Sequence, residues 1–221
     1  MEFIKRHIRE PINGLTHGIG VLLSVVGLFL LLYDAVLLGS VNHIVAYSMF
    51  GASMILLYTS STLYHSLNVK QKTIRLLRKL DHSMIYVLIA GSYTPICLIV
   101  LDESWRWIVF GAVWTVALGG ILKKIIWIEA PEWLSLFLYL GMGWMGVFLF
   151  PILFDKMPMA FLVWIITGGL AYSVGAIIYG VEKPNPLPGW FGHHEIWHLF
   201  VMAGTFSHFW AFYQYLPSIP T

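Results

Sequence analysis

Seven long apolar stretches divide this sequence, and they constrain its fold more than any single motif. They run roughly over residues 15–37, 42–65, 82–101, 105–126, 133–154, 159–181 and 194–216. A helix crossing the hydrocarbon core of a bilayer needs about 20 mostly apolar residues. Each stretch meets that length. Charged residues make up only 11% of the chain, against about 25% in a typical soluble domain. So few charges cannot cover the surface of a water-soluble fold of this size, so the surplus apolar surface must face lipid. The predicted fold is all-α, a seven-transmembrane helix bundle. The connections are short, which predicts a single integral membrane domain over residues 1–221.

The segments between the stretches carry their own signals. Residues 66–80 are the longest polar stretch, and Ile74, Leu76, Leu77 and Leu80 within it suit a short helix lying on the membrane surface. Pro184, Pro186, Pro188 and Gly189 make residues 182–190 a helix-breaking linker. The start, MEFIKRHIREP, is polar and basic, and the apolar run after it is too long for a signal peptide, so no cleavable signal is expected. The lone Cys97 excludes an intrachain disulfide and a cysteine-based zinc site.

Charge distribution predicts the orientation. Eleven of the thirteen Lys and Arg residues fall on the side that receives the N-terminus and the loops after the second, fourth and sixth stretches. Only Arg106 and Lys156 fall on the other. The positive-inside rule then places the N-terminus in the cytoplasm and the C-terminus outside. A net charge of +2 is too small to suggest nucleic acid. The expected partners are membrane lipids.

The histidines and one aspartate point to chemistry. His65 ends the second stretch, Asp81 opens the third, and His194 and His198 open the seventh. All four lie at similar depth near the cytoplasmic face. His194 and His198 are four apart and share one helical face. A third imidazole from another helix completes a three-histidine zinc site with a fourth position left for water, the pattern of catalytic zinc. Asp81 would accept a hydrogen bond from that water or act as general base. Ser61 lies four residues before His65 on the same face, where it would hold the water or contact substrate. Ionisable groups inside a membrane are costly unless a metal or a reaction uses them.

Simpler roles are open to several of these residues. Asp81 would also serve as an N-cap for the third helix. His7, His43, His82 and His193 read as headgroup contacts or helix caps. His208, ten residues past His198, would lie about 15 Å deeper, too far to share the site, and reads as a packed polar residue. The glycines from Gly111 to Gly175 suit close helix packing. The string from His194 to His198 also matches the metalloprotease pattern H-E-x-x-H with Glu195 as base. That reading leaves His65 without a role.

With these residues in hand, the chain resembles the bacterial haemolysin III family, the prokaryotic branch of the progestin and adipoQ receptor superfamily, related to adiponectin receptors. The strings EPINGLTHGIG (Glu10, Asn13, Thr16, His17), SSTLYHS, LDHSMIY, GSYTP and HHEIWHLFVMAGTFSHF carry the resemblance in order along nearly the whole chain. The resemblance implies zinc on His65, His194 and His198, with Asp81 reaching it through water and Ser61 beside it. It implies a seven-helix bundle in the bacterial cell membrane with a cytoplasmic N-terminus. It also implies a lipid substrate, since some relatives hydrolyse lipid amides, and a role in membrane-lipid homeostasis. Three functions are weighed: a zinc-dependent hydrolase of a lipid amide or ester, a non-enzymatic sensor of membrane state with structural zinc, and, as the resemblance alone suggests, a channel or haemolysin. No apolar stretch carries a regular polar stripe, which gives the channel little support.

Overall fold

The computed structural model describes residues 8–219. Seven long helices run through the described residues, none of which forms a β-strand beyond isolated bridges. They are α1 (Pro11–Leu38), α2 (Val41–Ser66), α3 (Gln71–Val100), α4 (Glu103–Ile126), α5 (Glu132–Lys156), α6 (Met159–Val181) and α7 (His193–Tyr215). The first six are long and apolar enough to cross a membrane. The seventh carries too many polar side chains to qualify on hydropathy, yet it matches them in length. It also runs beside α1 from end to end. Its first turn meets the first turns of α1 through Thr16 and His198, and its C-terminal end meets the start of α2 where His43 Nε2 contacts the Leu216 carbonyl at 3.0 Å.

Local chemistry sets most boundaries. Pro11 opens α1, where its missing N–H costs nothing. Gly39 ends α1 with φ of 65°, and its amide bonds the Val36 carbonyl, a left-handed cap that glycine adopts without strain. Ser40 then caps α2 by accepting from the His43 amide at 3.3 Å. His43 is therefore no headgroup contact. It is buried, with one ring nitrogen against Ser40 and the other against the end of α7.

Helices α1 and α2, α2 and α3, α3 and α4, and α6 and α7 pack side by side, and α7 closes against α1. Helix α3 is the axis: 72% of its most apolar window is buried, against 22% for α1 and α4. Tyr47, Phe50, Phe161 and Phe212 fill the core. Leu22, Leu23, Phe29, Ile126 and Phe148 point outward, as lipid-facing residues must.

Two expectations about continuity are corrected. Residues 71–80 do not form a separate surface helix. They are the first turns of α3, because no proline or glycine interrupts the sequence between Gln71 and Ala90 and Leu77 packs inward. Asp81 consequently lies three turns inside a helix and cannot be its N-cap. Conversely, α5 is not continuous. It tightens to a 3₁₀ turn at Met145–Leu149 before Pro151, which lacks an N–H to continue the ladder. The freed backbone groups find the Tyr93 hydroxyl, which accepts from the Gly146 amide at 2.6 Å and faces the carbonyls of Met142 at 3.0 Å and Gly143 at 2.6 Å. Inside a bilayer such groups need a protein partner.

Candidate metal centre

His65, in the last turn of α2, meets His194 and His198, in the first turns of α7. One nitrogen from each lies within 4.8 Å of the others. The ring centroids form a near-equilateral triangle: 5.0 Å for His65–His194, 4.9 Å for His65–His198 and 5.0 Å for His194–His198. The ring planes cross at 75° to 85°. Three imidazoles on a tetrahedral ion at about 2.0–2.1 Å would place their centroids about 5 Å apart. The donor set therefore fits a tetrahedral metal.

The tautomers also fit. His65 Nδ1 lies 2.6 Å from Glu10 Oε2, so Nδ1 carries the proton and Nε2 holds a free lone pair. That Nε2 is buried with no partner among the described residues. His198 Nδ1 lies 3.4 Å from the Thr16 hydroxyl, which itself donates to the Asn13 carbonyl at 3.1 Å. His198 then presents Nε2 to the cluster. Carboxylate–histidine and hydroxyl–histidine contacts of this kind orient metal ligands in general.

Glu10 is the start of a longer chain of contacts. Asn13 Nδ2 donates to Glu10 Oε2 at 3.2 Å and to Glu195 Oε1 at 2.9 Å, and Glu195 Oε2 accepts from the Gly192 amide at 2.8 Å. Both Glu195 oxygens are thus occupied in tying α1 to the entry of α7, which removes Glu195 from the role of a protease base. Burial alone would raise the Glu10 carboxyl. The hydrogen bond from His65, the charge of Arg9 and the Asn13 amide outweigh it and hold the carboxyl well below its ordinary value of 4.5.

Asp81 and Ser61 stand beside the triad. Both are buried, and the Ser61 hydroxyl faces the Asp81 carboxylate. Asp81 lines a small cavity together with His194 and His198. A second, larger cavity of about 150 Å³ extends into the bundle between α2, α3, α5, α6 and α7. Its walls are mostly apolar. His17 reaches both regions: its ring stacks on His198 at 3.7 Å with an 8° interplanar angle, and it lines the large cavity. Both its ring nitrogens are buried without a hydrogen-bond partner among the described residues.

The four residues placed together in the sequence, His65, Asp81, His194 and His198, are brought together here, with Ser61 adjacent. Sequence reasoning gave no role to Glu10, Asn13, Thr16 or His17. Their spacing of three, three and one along the start of α1 puts Glu10, Asn13 and His17 on one face, a signal that was present. Of the remaining histidines, His208 bonds the Ile165 carbonyl at 3.2 Å as a packed polar residue. His82 faces the Lys124 ammonium at 3.1 Å and His193 faces Asn185 at 3.0 Å rather than lipid headgroups. His7 lies outside the described residues.

A helical bundle with six membrane-crossing helices and a buried histidine triad at one end defines a multi-pass membrane protein with a candidate metal centre. The chain belongs to the haemolysin-III related family, whose sequence profile matches residues 5–209. It is 43% identical to the hemolysin-3 homolog of Bacillus subtilis (strain 168) over 214 residues, covering 96% of this chain and 97% of that protein. It is 39% identical to hemolysin-3 of Bacillus cereus over 220 residues, 100% and 95% of the two chains. A human relative, monocyte to macrophage differentiation factor, is 28% identical over 180 residues, 78% of this chain and 71% of that one. This is a haemolysin III-type, multi-pass bacterial membrane protein.

Proposed function

We propose that this protein is a zinc-dependent hydrolase of a lipid amide or ester, with its N-terminus in the cytoplasm and a role in membrane-lipid homeostasis. The observation that carries the reading is the triangle of three imidazoles flanked by a buried carboxylate, with an apolar cavity adjoining through His17, which stacks on His198. Zinc, when bound there, supplies Lewis acidity that polarises a carbonyl and lowers the pKa of water to about 7.

The chain's own residues do the rest. Glu10 and Thr16 fix the tautomers of His65 and His198. Asp81 takes a proton from the attacking water and returns it to the leaving nitrogen or oxygen, and Ser61 orients that carboxylate. The apolar cavity holds an acyl chain and keeps bulk water away. A structural zinc without turnover, as in a membrane-state sensor, draws support from the way the triad joins the end of α2 to the start of α7.

The test is metal content together with fatty-acid release from a panel of acyl lipids. About one zinc per chain is expected in wild type. Asp81→Asn should keep the metal and lose turnover by about 10² to 10⁴. Metal-free wild type overturns the reading, and a fully active Asp81→Asn removes Asp81 from the chemistry. Zinc without turnover on any lipid favours the sensor.

A further inference from the structure

Lys124 is a buried cation with no carboxylate partner. It sits in the last turn of α4 and is only 3% exposed. Among the described residues no Asp or Glu oxygen lies within ion-pair distance of its ammonium. Its one hydrogen-bond contact is His82 Nδ1 at 3.1 Å, which leaves donors unused. The Tyr139 ring lies below it, 5.9 Å to the centroid, and a buried ammonium with no carboxylate at contact distance is costly and favours an anion beside it.

The ammonium lines a cavity of about 50 Å³ whose wall also includes Arg78, His82, Ser135, His194 and His198. Arg78 meets Glu129 at 3.5 Å, a long contact that leaves other guanidinium donors free. Two acids share the wall. Asp81 faces Ser61, and both Asp81 and Glu132 lie beyond ion-pair distance of Lys124 though within its electrostatic reach. By the same measure a water needs about 10–15 Å³, so the space takes a compact oxyanion.

This cavity adjoins the large apolar one. Ile85, Tyr139 and Trp197 line both, and His194 and His198 stand in the wall of the smaller. An amphiphile can therefore set an anionic group against Lys124 and Arg78 and its chain in the apolar cavity, with its carbonyl beside the triad. We propose that the small cavity binds the phosphate of a phospholipid headgroup, which makes the substrate class an acyl phospholipid. The substrate half rests on the hydrolase reading above. The phosphate site does not.

The test separates the two. Native mass spectrometry of the intact protein in neutral detergent would titrate a non-hydrolysable diether phosphatidylglycerol, a neutral diether glycerol with the same chains, oleate and inorganic phosphate. Diether binding needs no turnover, so a failed hydrolysis assay leaves this result readable. Lys124→Gln should weaken the phospholipid about 10-fold or more, and Lys124→Arg should restore most of it. Neither should change binding of the neutral lipid. Should Lys124→Gln not fold, Arg78→Gln, at a partly exposed position, should still weaken the phospholipid about 3-fold. Equal affinity for the charged and neutral diethers, or no loss in these variants, overturns the proposal. Competition by oleate as strong as by phospholipid assigns the site to a carboxylate and likewise overturns it. The same result with inorganic phosphate assigns the site to free phosphate, with the same consequence.

Discussion

Glu10→Ala tests whether the contacts around the triad set metal affinity. Glu10 lies 2.6 Å from His65 Nδ1, a short charge-assisted contact, and its side chain is 36% exposed. Removing such a partner of a metal-bound histidine typically costs 10- to 100-fold in affinity. Partial exposure screens the charge, so the lower part of that range applies, about 10- to 30-fold, or about 1.4 to 2 kcal/mol. Glu10→Gln keeps an acceptor for the Nδ1 proton and loses only the charge, so its loss should be smaller, about 3- to 10-fold. The assay is zinc competition against a chromogenic chelator in detergent, with both variants first shown to keep their helicity. The sign of the pH dependence follows from the depressed carboxyl. Its contribution is intact above the ordinary value of 4.5 and fades only as pH falls below it. The ratio between wild type and Glu10→Gln should therefore be the same at about pH 7.5 and pH 5.5. Zinc affinity of Glu10→Ala within twofold of wild type would refute the reasoning.

Other outcomes follow from the same geometry. Tyr93→Phe strips the broken turn of α5 of its buried hydroxyl partner and should destabilise the protein by about 1–3 kcal/mol, read as a lower midpoint in detergent thermal unfolding. Gly175→Ala would set a Cβ 2.6 Å from Phe200 Cβ where α6 crosses α7, and should cost about 1–3 kcal/mol in the same assay. Ala176→Phe projects a ring into the large cavity, so it should shift any lipid turnover toward shorter acyl chains, measured by product mass spectrometry. Unchanged chain-length preference would argue against an acyl role for that cavity.

The bundle was legible because lipid leaves a chain few choices. Apolar runs of fixed length must be helices, and the spacing of His194 and His198 forces both onto one face. The depth match with His65 and Asp81 then followed from counting crossings. Two features escaped for different reasons. The partners of the triad come from α1, and the Asn13–Glu195 contact spans 182 residues. Local pattern cannot pair side chains over such separations, although the spacing of Glu10, Asn13 and His17 marked a face. The polar residues 71–80 read as a surface segment because hydropathy registers charge, whereas the backbone continues wherever no breaker stops it.

The closure of α7 against α1 has a consequence for biogenesis. Helices α2 and α7 supply the triad and α1 supplies its clamp, so the centre cannot form until α7 has been made. Before α7 is made, His65 still has Glu10 and Glu10 still has Asn13, but Asn13 lacks Glu195, Thr16 lacks His198, and the His65 Nε2 lone pair faces no second imidazole. The last helix, too polar to partition into lipid by its own hydropathy, enters against a surface already shaped by its predecessors. Placing α7 is therefore the step of assembly that depends most on the helices made before it.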